Sequence, residues 1–273
     1  MKQYGLLGGK LGHSLSPVIH KLFFAYTGTY GCYELLETER QELPQRMEHL
    51  MNNFAGVNVT IPHKLNVVPF LNGITVEAQV IGAINTIKFT DDGAFGYNTD
   101  YFGFNRLLEY NNIEITDKTA VVLGNGGAAR AVVKCLADKN VGNLYLAARR
   151  PDGVDADFQK MFPRLKVIGY DALAKLRGEV LINCTPVGMY PKVDVSPVME
   201  SVSKSFAASV DLIYNPLETL FLRQAKMAGK QCVNGLFMLV AQAVAAQEIW
   251  QDTAYDSSLI IKIMDDLNKM LHA

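Results

Sequence analysis

Thr60 and Lys64 place a hydroxyl and an amine close together in the segment Asn58-Val59-Thr60-Ile61-Pro62-His63-Lys64. An amine so placed can give a proton to a reacting oxygen or take one back, and the hydroxyl can hold a substrate group. Val57 and Val59 read as buried strand positions, Thr60 as a helix N-cap and Pro62 as a first-turn residue. Lys64 is then expected at the start of a helix that follows a strand end, where small-molecule sites form in α/β folds. A lone lysine is more often an ordinary surface cation, so the weight rests on what else the chain carries.

A second constellation is Gly124-Asn125-Gly126-Gly127-Ala128-Ala129-Arg130, directly after the apolar run Ala120-Val121-Val122-Leu123. Gly124, Gly126 and Ala129 satisfy the G-x-G-x-x-G/A fingerprint of dinucleotide sites, and Ala131, Val132, Val133 and Leu136 continue it with a helical pattern. The first glycine permits the tight turn, the second lets backbone N–H groups approach a pyrophosphate, and the small third residue lets helix and strand pack closely. After the next strand, Leu144 to Ala148, the chain carries Arg149-Arg150 where an NAD protein usually has Asp or Glu. Guanidiniums are poor partners for a neutral ribose diol and good bidentate donors to a 2′-phosphate, so the expected cofactor is NADP.

The elements needed to position these groups can be read around them. Short β-like runs alternate with helical patterns along the whole chain, which implies an α/β architecture with mostly parallel strands. Tyr4 to Leu7 reads as a strand. Ser16-Pro17 reads as a cap and first-turn proline opening a helix lined by Val18, Ile19, Leu22, Phe23 and Tyr26 and closed at Thr27-Gly28. Helical patterns over Tyr101–Tyr110, Met238–Trp250 and Leu259–Leu271 complete the frame. A chain of 273 residues favours two domains. With 49% hydrophobic and 19% charged residues it can build a sizeable core, which excludes a disordered chain. A net charge of −1 without a Lys/Arg stripe weighs against nucleic acid and anionic membranes as partners. The four cysteines are far apart and form no CxxC pair, so neither a metal site nor a disulfide framework is expected, and a reducing cytoplasm is. The N-terminal apolar run is too short for a signal peptide, and Leu236 to Ala246 is too short to span a bilayer. His13 and His63 flank the candidate residues but have no partner at ligand spacing, so both are expected to pack loops.

Over nearly its full length the chain resembles the shikimate dehydrogenase family. The blocks that carry the resemblance are Gly12-His13-Ser14-Leu15-Ser16-Pro17, Asn58 through Lys64, Gly82-Ala83-Ile84-Asn85-Thr86, Asn98-Thr99-Asp100, Asn183-Cys184-Thr185-Pro186-Val187-Gly188-Met189, Asp211-Leu212-Ile213-Tyr214 and Gly235 through Gln242. The resemblance implies a catalytic Lys64 paired with Asp100. It implies substrate contacts from Ser14, Ser16, Thr60, Asn85, Tyr214 and Gln242, the two serines on a carboxylate. Cofactor contacts would come from Gly124, Gly126, Gly127, Ala128, Ala129, Arg149, Arg150, Thr185, Gly235 and Met238, with no metal. The implied fold is a discontinuous α/β substrate domain (residues 1–103 and 238–273) and an inserted Rossmann-like NADP domain (residues 104–237), with the active site in the cleft between them. The implied activity is NADPH-dependent reduction of 3-dehydroshikimate to shikimate, on the way to chorismate and aromatic amino acids, by a cytoplasmic monomer or homodimer. Alternatives are an NAD-using quinate/shikimate dehydrogenase and a non-catalytic nucleotide-binding regulator on the same fold. Two departures stand out: Ala148-Arg149-Arg150 replaces the family's frequent Asn-Arg-Thr, and Gly9-Lys10 replaces a more typical Asn/Tyr-Pro.

Overall fold

The structure, a computed structural model, describes residues 1–272. The chain forms two compact units, Met1–Gly103 with the chain from Val240 onward, and Phe104–Leu239. In the first, β1 (Lys2–Gly8) is buried from Tyr4 onward, as a central strand covered on both faces must be. Next comes α1 (Ser16–Thr27), which ends at Gly28 in the left-handed region, φ 67°, with the Gly28 N–H donating to the Phe24 carbonyl. The following elements are β2 (Gly31–Glu37), α2 (Leu43–Asn53) and β3 (Gly56–Val59). Leu43, Met47 and Leu50 recur at helical spacing and form the buried face of α2. Then come β4 (Gly73–Ile74), α3 (Val76–Ile81), β5 (Thr86–Thr90), β6 (Gly93–Tyr97) and α4 (Thr99–Tyr110).

The sheet runs β2-β1-β3-β5-β6-β4. β1, β2 and β3 are parallel, but β5 runs antiparallel to both β3 and β6. Mostly parallel strands were expected and are found across the two sheets, with β5 the exception. Only Asp91 and Asp92 separate β5 from β6, and a parallel pair needs a crossover of a dozen or more residues, so a hairpin is the one solution there.

The second unit holds β7 (Thr119–Leu123), α5 (Gly127–Asp138), β8 (Asn143–Ala147), α6 (Ala156–Met161), β9 (Leu165–Ile168) and β10 (Gly178–Asn183). It continues with α7 (Glu200–Ser203), β11 (Phe206–Asp211), α8 (Leu220–Met227) and β12 (Gln231–Val233). All neighbouring strands are parallel, in the order β12-β11-β10-β7-β8-β9. That is the doubly wound order, and the connections change direction between β7 and β10, where such folds bind ligands. Val121, Leu123, Leu181, Phe206 and Phe221 fill its core.

The chain leaves the second unit within α9 (Leu236–Gln251) and ends in α10 (Ser258–His272). In the first unit Trp250 of α9 stacks on Tyr4 at 4.8 Å between ring centroids and donates its indole N–H to the Ile87 carbonyl at 2.8 Å. Gly56 makes room for it, since a Cβ there would lie 2.1 Å from Trp250 Nε1. Gly56→Ala is therefore expected to lower stability by about 1–3 kcal/mol in denaturant unfolding, the cost of overpacking. A midpoint equal to wild type would show that the indole moves aside freely. Among the described residues, no helix is long and apolar enough to cross a membrane.

Candidate active site

Lys64 Nζ lies 2.9 Å from Asp100 Oδ2, with the two side chains 24% and 15% exposed. The pair is thus mostly shielded yet open enough to meet a ligand. Asp100 sits in the first turn of α4, and its backbone N–H donates to Asn98 Oδ1 at 3.1 Å. Asn98 is itself anchored through its amide nitrogen to the Ala83 carbonyl at 2.9 Å. Lys64 is not on a helix, contrary to the sequence expectation, and Thr60 caps none. Residues 61–67 form turns that lead to a single 3-10 turn at Val68–Phe70. The Lys64 carbonyl accepts from the distant Ile84 N–H at 2.9 Å, so it is taken from any helical ladder.

Asn85 is buried, and its side-chain oxygen is saturated. It accepts from the Thr99 N–H at 2.7 Å, Thr86 Oγ1 at 3.0 Å and Thr99 Oγ1 at 3.2 Å. That fixes the amide orientation, leaving Nδ2 as the group that can serve a ligand, and so selects for an acceptor such as a hydroxyl oxygen. Asn58, which the sequence reading did not assign, supports this corner. Its Nδ2 reaches the Asn85 carbonyl at 3.3 Å and Thr86 Oγ1 at 3.1 Å, while its Oδ1 accepts from the Tyr33 hydroxyl at 2.8 Å. Gln242, on α9, has Oε1 3.3 Å from Thr99 Oγ1, sharing with Asn85 Oδ1 the single proton of that hydroxyl. Lys64, Asn85, Asp100 and Gln242 are thus joined around the start of α4.

Ser14 and Ser16 lie at the opening of α1, both partly exposed. Ser16 was expected to cap this helix, but Leu15 is the N-cap and no side chain caps it; Ser14 Oγ instead accepts from the Ser16 N–H at 3.2 Å. The Ser16 hydroxyl therefore has no capping duty. Thr60 has its methyl against Gly8, where a Cβ would stand 2.5 Å away. His63 is buried with Nε2 2.7 Å from the Thr38 carbonyl, so that nitrogen carries the proton and ties the loop to the end of β2.

In the second unit Gly124 follows β7 with φ 95°, open only to glycine without strain, and a Cβ there would stand 2.8 Å from the Thr185 methyl. Gly126 is the N-cap of α5, and a Cβ on it would meet nothing within 4 Å, so its backbone faces open space. Ala129 is fully buried. Arg149 and Arg150 are exposed, and among the described residues neither makes an ion pair. These features fit a dinucleotide: a tight turn, an approachable backbone and two uncommitted guanidiniums. Arg149 is close enough to Tyr170 for its charge to oppose the burial that raises that phenol. Thr185 donates to Asn183 Oδ1 at 2.7 Å and accepts from the Val187 N–H at 3.2 Å, so its hydroxyl already shapes the loop after β10. Gly235 is forced by the Leu212 carbonyl oxygen, 2.0 Å from any Cβ, and Met238 is buried. Tyr214, half-buried in this unit, has its phenol raised by that burial.

The Tyr214 loop is held by Asp211, buried at the end of β11. Its carboxylate accepts from Asn183 Nδ2 at 3.0 Å, the Ile213 N–H at 3.1 Å and Thr219 Oγ1 at 2.6 Å. Burial nevertheless raises its carboxyl from 3.8 to about 6, against those hydrogen bonds. The folded state then holds this proton more tightly than the unfolded chain. Its contribution is fully present below the unfolded value and is lost as pH rises through about 6, on the order of 3 kcal/mol. Asp211→Asn is expected to flatten the stability profile between pH 4 and 6, roughly the span of that shift. An unchanged slope would assign it to other groups.

A family model described as the shikimate dehydrogenase substrate binding domain matches residues 6–87. A shikimate dehydrogenase (NADP(+)) of Clostridium beijerinckii is 45% identical over 260 residues, covering 95% of each chain. Among solved structures, a chorismate mutase/shikimate 5-dehydrogenase fusion protein from Clostridium acetobutylicum superposes with a TM-score of 0.94 at 44% identity, covering 100% of this chain and 99% of that one. The Thermus thermophilus shikimate 5-dehydrogenase in complex with NADP(H) and shikimate gives 0.88 at 32% identity, covering 97% and 99%. Two sheets of the expected kinds, a matching substrate-domain model and full-length similarity place the chain in the shikimate dehydrogenase family.

Proposed function

We propose that this protein catalyses the reversible, NADPH-dependent reduction of 3-dehydroshikimate to shikimate, within the route to chorismate and the aromatic amino acids. The observation that carries this reading is the Lys64–Asp100 pair beside an Asn85 amide of fixed orientation. A nucleotide-sensing protein has no need of an ammonium held by a carboxylate next to oriented hydroxyl-binding groups.

When bound, NADPH supplies the hydride, and Gly124, Gly126, Gly127, Ala128, Ala129, Thr185, Gly235 and Met238, with Arg149 and Arg150, are the residues that would hold it. Reduction of the ketone puts negative charge on the carbonyl oxygen, and the Lys64 ammonium stabilises and then protonates it. In the oxidising direction the neutral Lys64 amine takes the hydroxyl proton. Asp100 orients Nζ and accepts from a neighbouring ring hydroxyl. Asn85 Nδ2 donates to a ring oxygen, and Gln242 extends the same polar surface. Ser14, Ser16 and Thr60 offer hydroxyl donors to the carboxylate, and Tyr214 adds a phenol. The first unit is thus read as the substrate domain and the second as the NADP domain. Four free cysteines, two of them with strongly raised thiols from burial, suit a reducing cytoplasm.

The test is absorbance at the nicotinamide band with shikimate and NADP+ or NAD+ in parallel. Rapid reduction of NADP+ alone supports the reading. Turnover with NAD+, or with quinate, moves the protein to a broader quinate/shikimate activity, and no turnover by folded, dinucleotide-binding protein overturns it.

A further inference from the structure

Arg130 and Asp155 form an ion pair that the proposed reaction leaves unexplained. Arg130 stands on the first turn of α5, with Nη2 3.0 Å from Asp155 Oδ2 and its guanidinium 4.7 Å from the Phe158 ring centroid. Asp155 has a second task, because its Oδ1 accepts from the Asp157 N–H at 2.9 Å and the Phe158 N–H at 3.4 Å and so caps α6. The Arg130 hydrogen bond first, then these backbone donors, hold its carboxyl below the usual range, so it stays charged at neutral pH.

The pair forms part of the wall of a small pocket of about 120 Å³ that Asn125, Gly153 and Phe158 also line. Asn125 belongs to the glycine-rich turn. Gly153 shares a turn with Arg150, donating to its carbonyl at 3.1 Å, and a Cβ on Gly153 would lie 3.8 Å from that of Arg150. The pocket therefore sits between the turn that would receive the pyrophosphate and the turn that carries the arginine pair. Arg150 stands in the turn next to it, exposed and without an ion pair among the described residues. Arg130 is already neutralised by the carboxylate beside it.

We propose that Asp155 is a specificity-determining residue of this pocket: by holding Arg130 in an internal ion pair, it limits how strongly the site takes the 2′-phosphate of the adenine ribose. The inference rests on reading the second unit as the NADP domain. A phosphate entering the pocket meets Arg130 and Asp155 as a near-neutral pair. Without the negative charge, Arg130 becomes a further guanidinium able to meet phosphate oxygens in bidentate fashion. Asparagine caps a helix as well as aspartate does, so Asp155→Asn removes the charge and keeps the cap.

The experiment is calorimetric titration of the full chain with adenosine 2′,5′-bisphosphate and with 5′-AMP, then with NADP+ and NAD+. Asp155→Asn is expected to tighten the two 2′-phosphorylated ligands by about 3–10-fold, as removal of one exposed competing charge does, while the other two move less than about twofold. The gain should shrink at high salt and vanish in the Arg130→Gln background. Equal tightening of all ligands, no tightening, or a gain that survives Arg130→Gln would overturn the inference. Asp155→Ser retains a capping oxygen and replaces the Asn variant if that one misfolds. Wild-type protein that binds both adenosine ligands equally would refute the NADP reading itself, whereas discrimination by wild type with no response to Asp155→Asn would refute only the role of Asp155.

Discussion

Lys64→Ala is expected to lower kcat for shikimate oxidation by about 10²–10⁴-fold, the range supplied by a positioned acid–base group. The NADP+ dissociation constant should stay within about twofold, because the lysine lies in the unit that carries none of the dinucleotide fingerprint. The argument is geometric. Nζ is held at 2.9 Å by Asp100, whose own position follows from the start of α4 and the Asn98 and Asn85 hydrogen bonds that pin it. Removing the amine leaves the developing oxyanion without its cation and proton source, an effect on the transition state more than on ground-state binding. Asp100→Asn should fall between the two, raising KM as well as lowering kcat, since it loses both the orientation of Nζ and a charged acceptor for substrate. Steady-state kinetics with cofactor titration separates these outcomes. Normal turnover by Lys64→Ala would remove the lysine from the mechanism.

What is legible in the sequence is the part that local chemistry decides. The run Thr119 to Leu123, the glycine turn and the helix after it follow from apolar continuity, glycine spacing and a buried alanine, all within twenty residues. Gly28 likewise announces the end of α1. The misreadings have different causes, one distant and one local. Lys64 reads as helical because Pro62 and Thr60 are good starters, yet Ile84 takes its carbonyl. Ser16 reads as a cap because its type suits one, yet the helix begins a residue earlier in register, with Leu15 at the cap. The β5–β6 hairpin is an exception within the mostly parallel arrangement that the alternation of strands and helices announces.

The site shows the same division. Lys64, Asp100 and Asn85 come from separated blocks that spacing alone does not pair; their association follows from resemblance, and the structure supplies its physical basis in Thr99 and Thr86. Asn58 is visible in the sequence only as a neighbour of Val59, since its bonds to Tyr33, Thr86 and Asn85 all reach across strands. Arg130 ends the glycine motif in plain view, but Asp155 lies 25 residues on, and nothing local marks the two as a pair.

Arg149→Ala combined with Arg150→Ala is expected to weaken NADP+ binding by about 10–100-fold and NAD+ by less than about threefold, the loss of one or two charge-assisted hydrogen bonds to a phosphate. Both guanidiniums are exposed and, among the described residues, neither is held by a carboxylate, so their removal leaves no buried charge behind and little stability should be lost. They differ in surroundings: Arg149 acts on Tyr170, while Arg150 shares its turn with Gly153 at the edge of the pocket. The single variants then rank them, and the one whose loss removes most of the preference is the principal phosphate ligand. Because two like charges act on one dianion, the salt dependence of NADP+ binding should also become shallower in the double variant. Equal weakening of both cofactors would show that the arginines only support the end of β8. An unchanged preference would take 2′-phosphate recognition away from the arginine pair, and the Asp155→Asn experiment tests the neighbouring Arg130 separately.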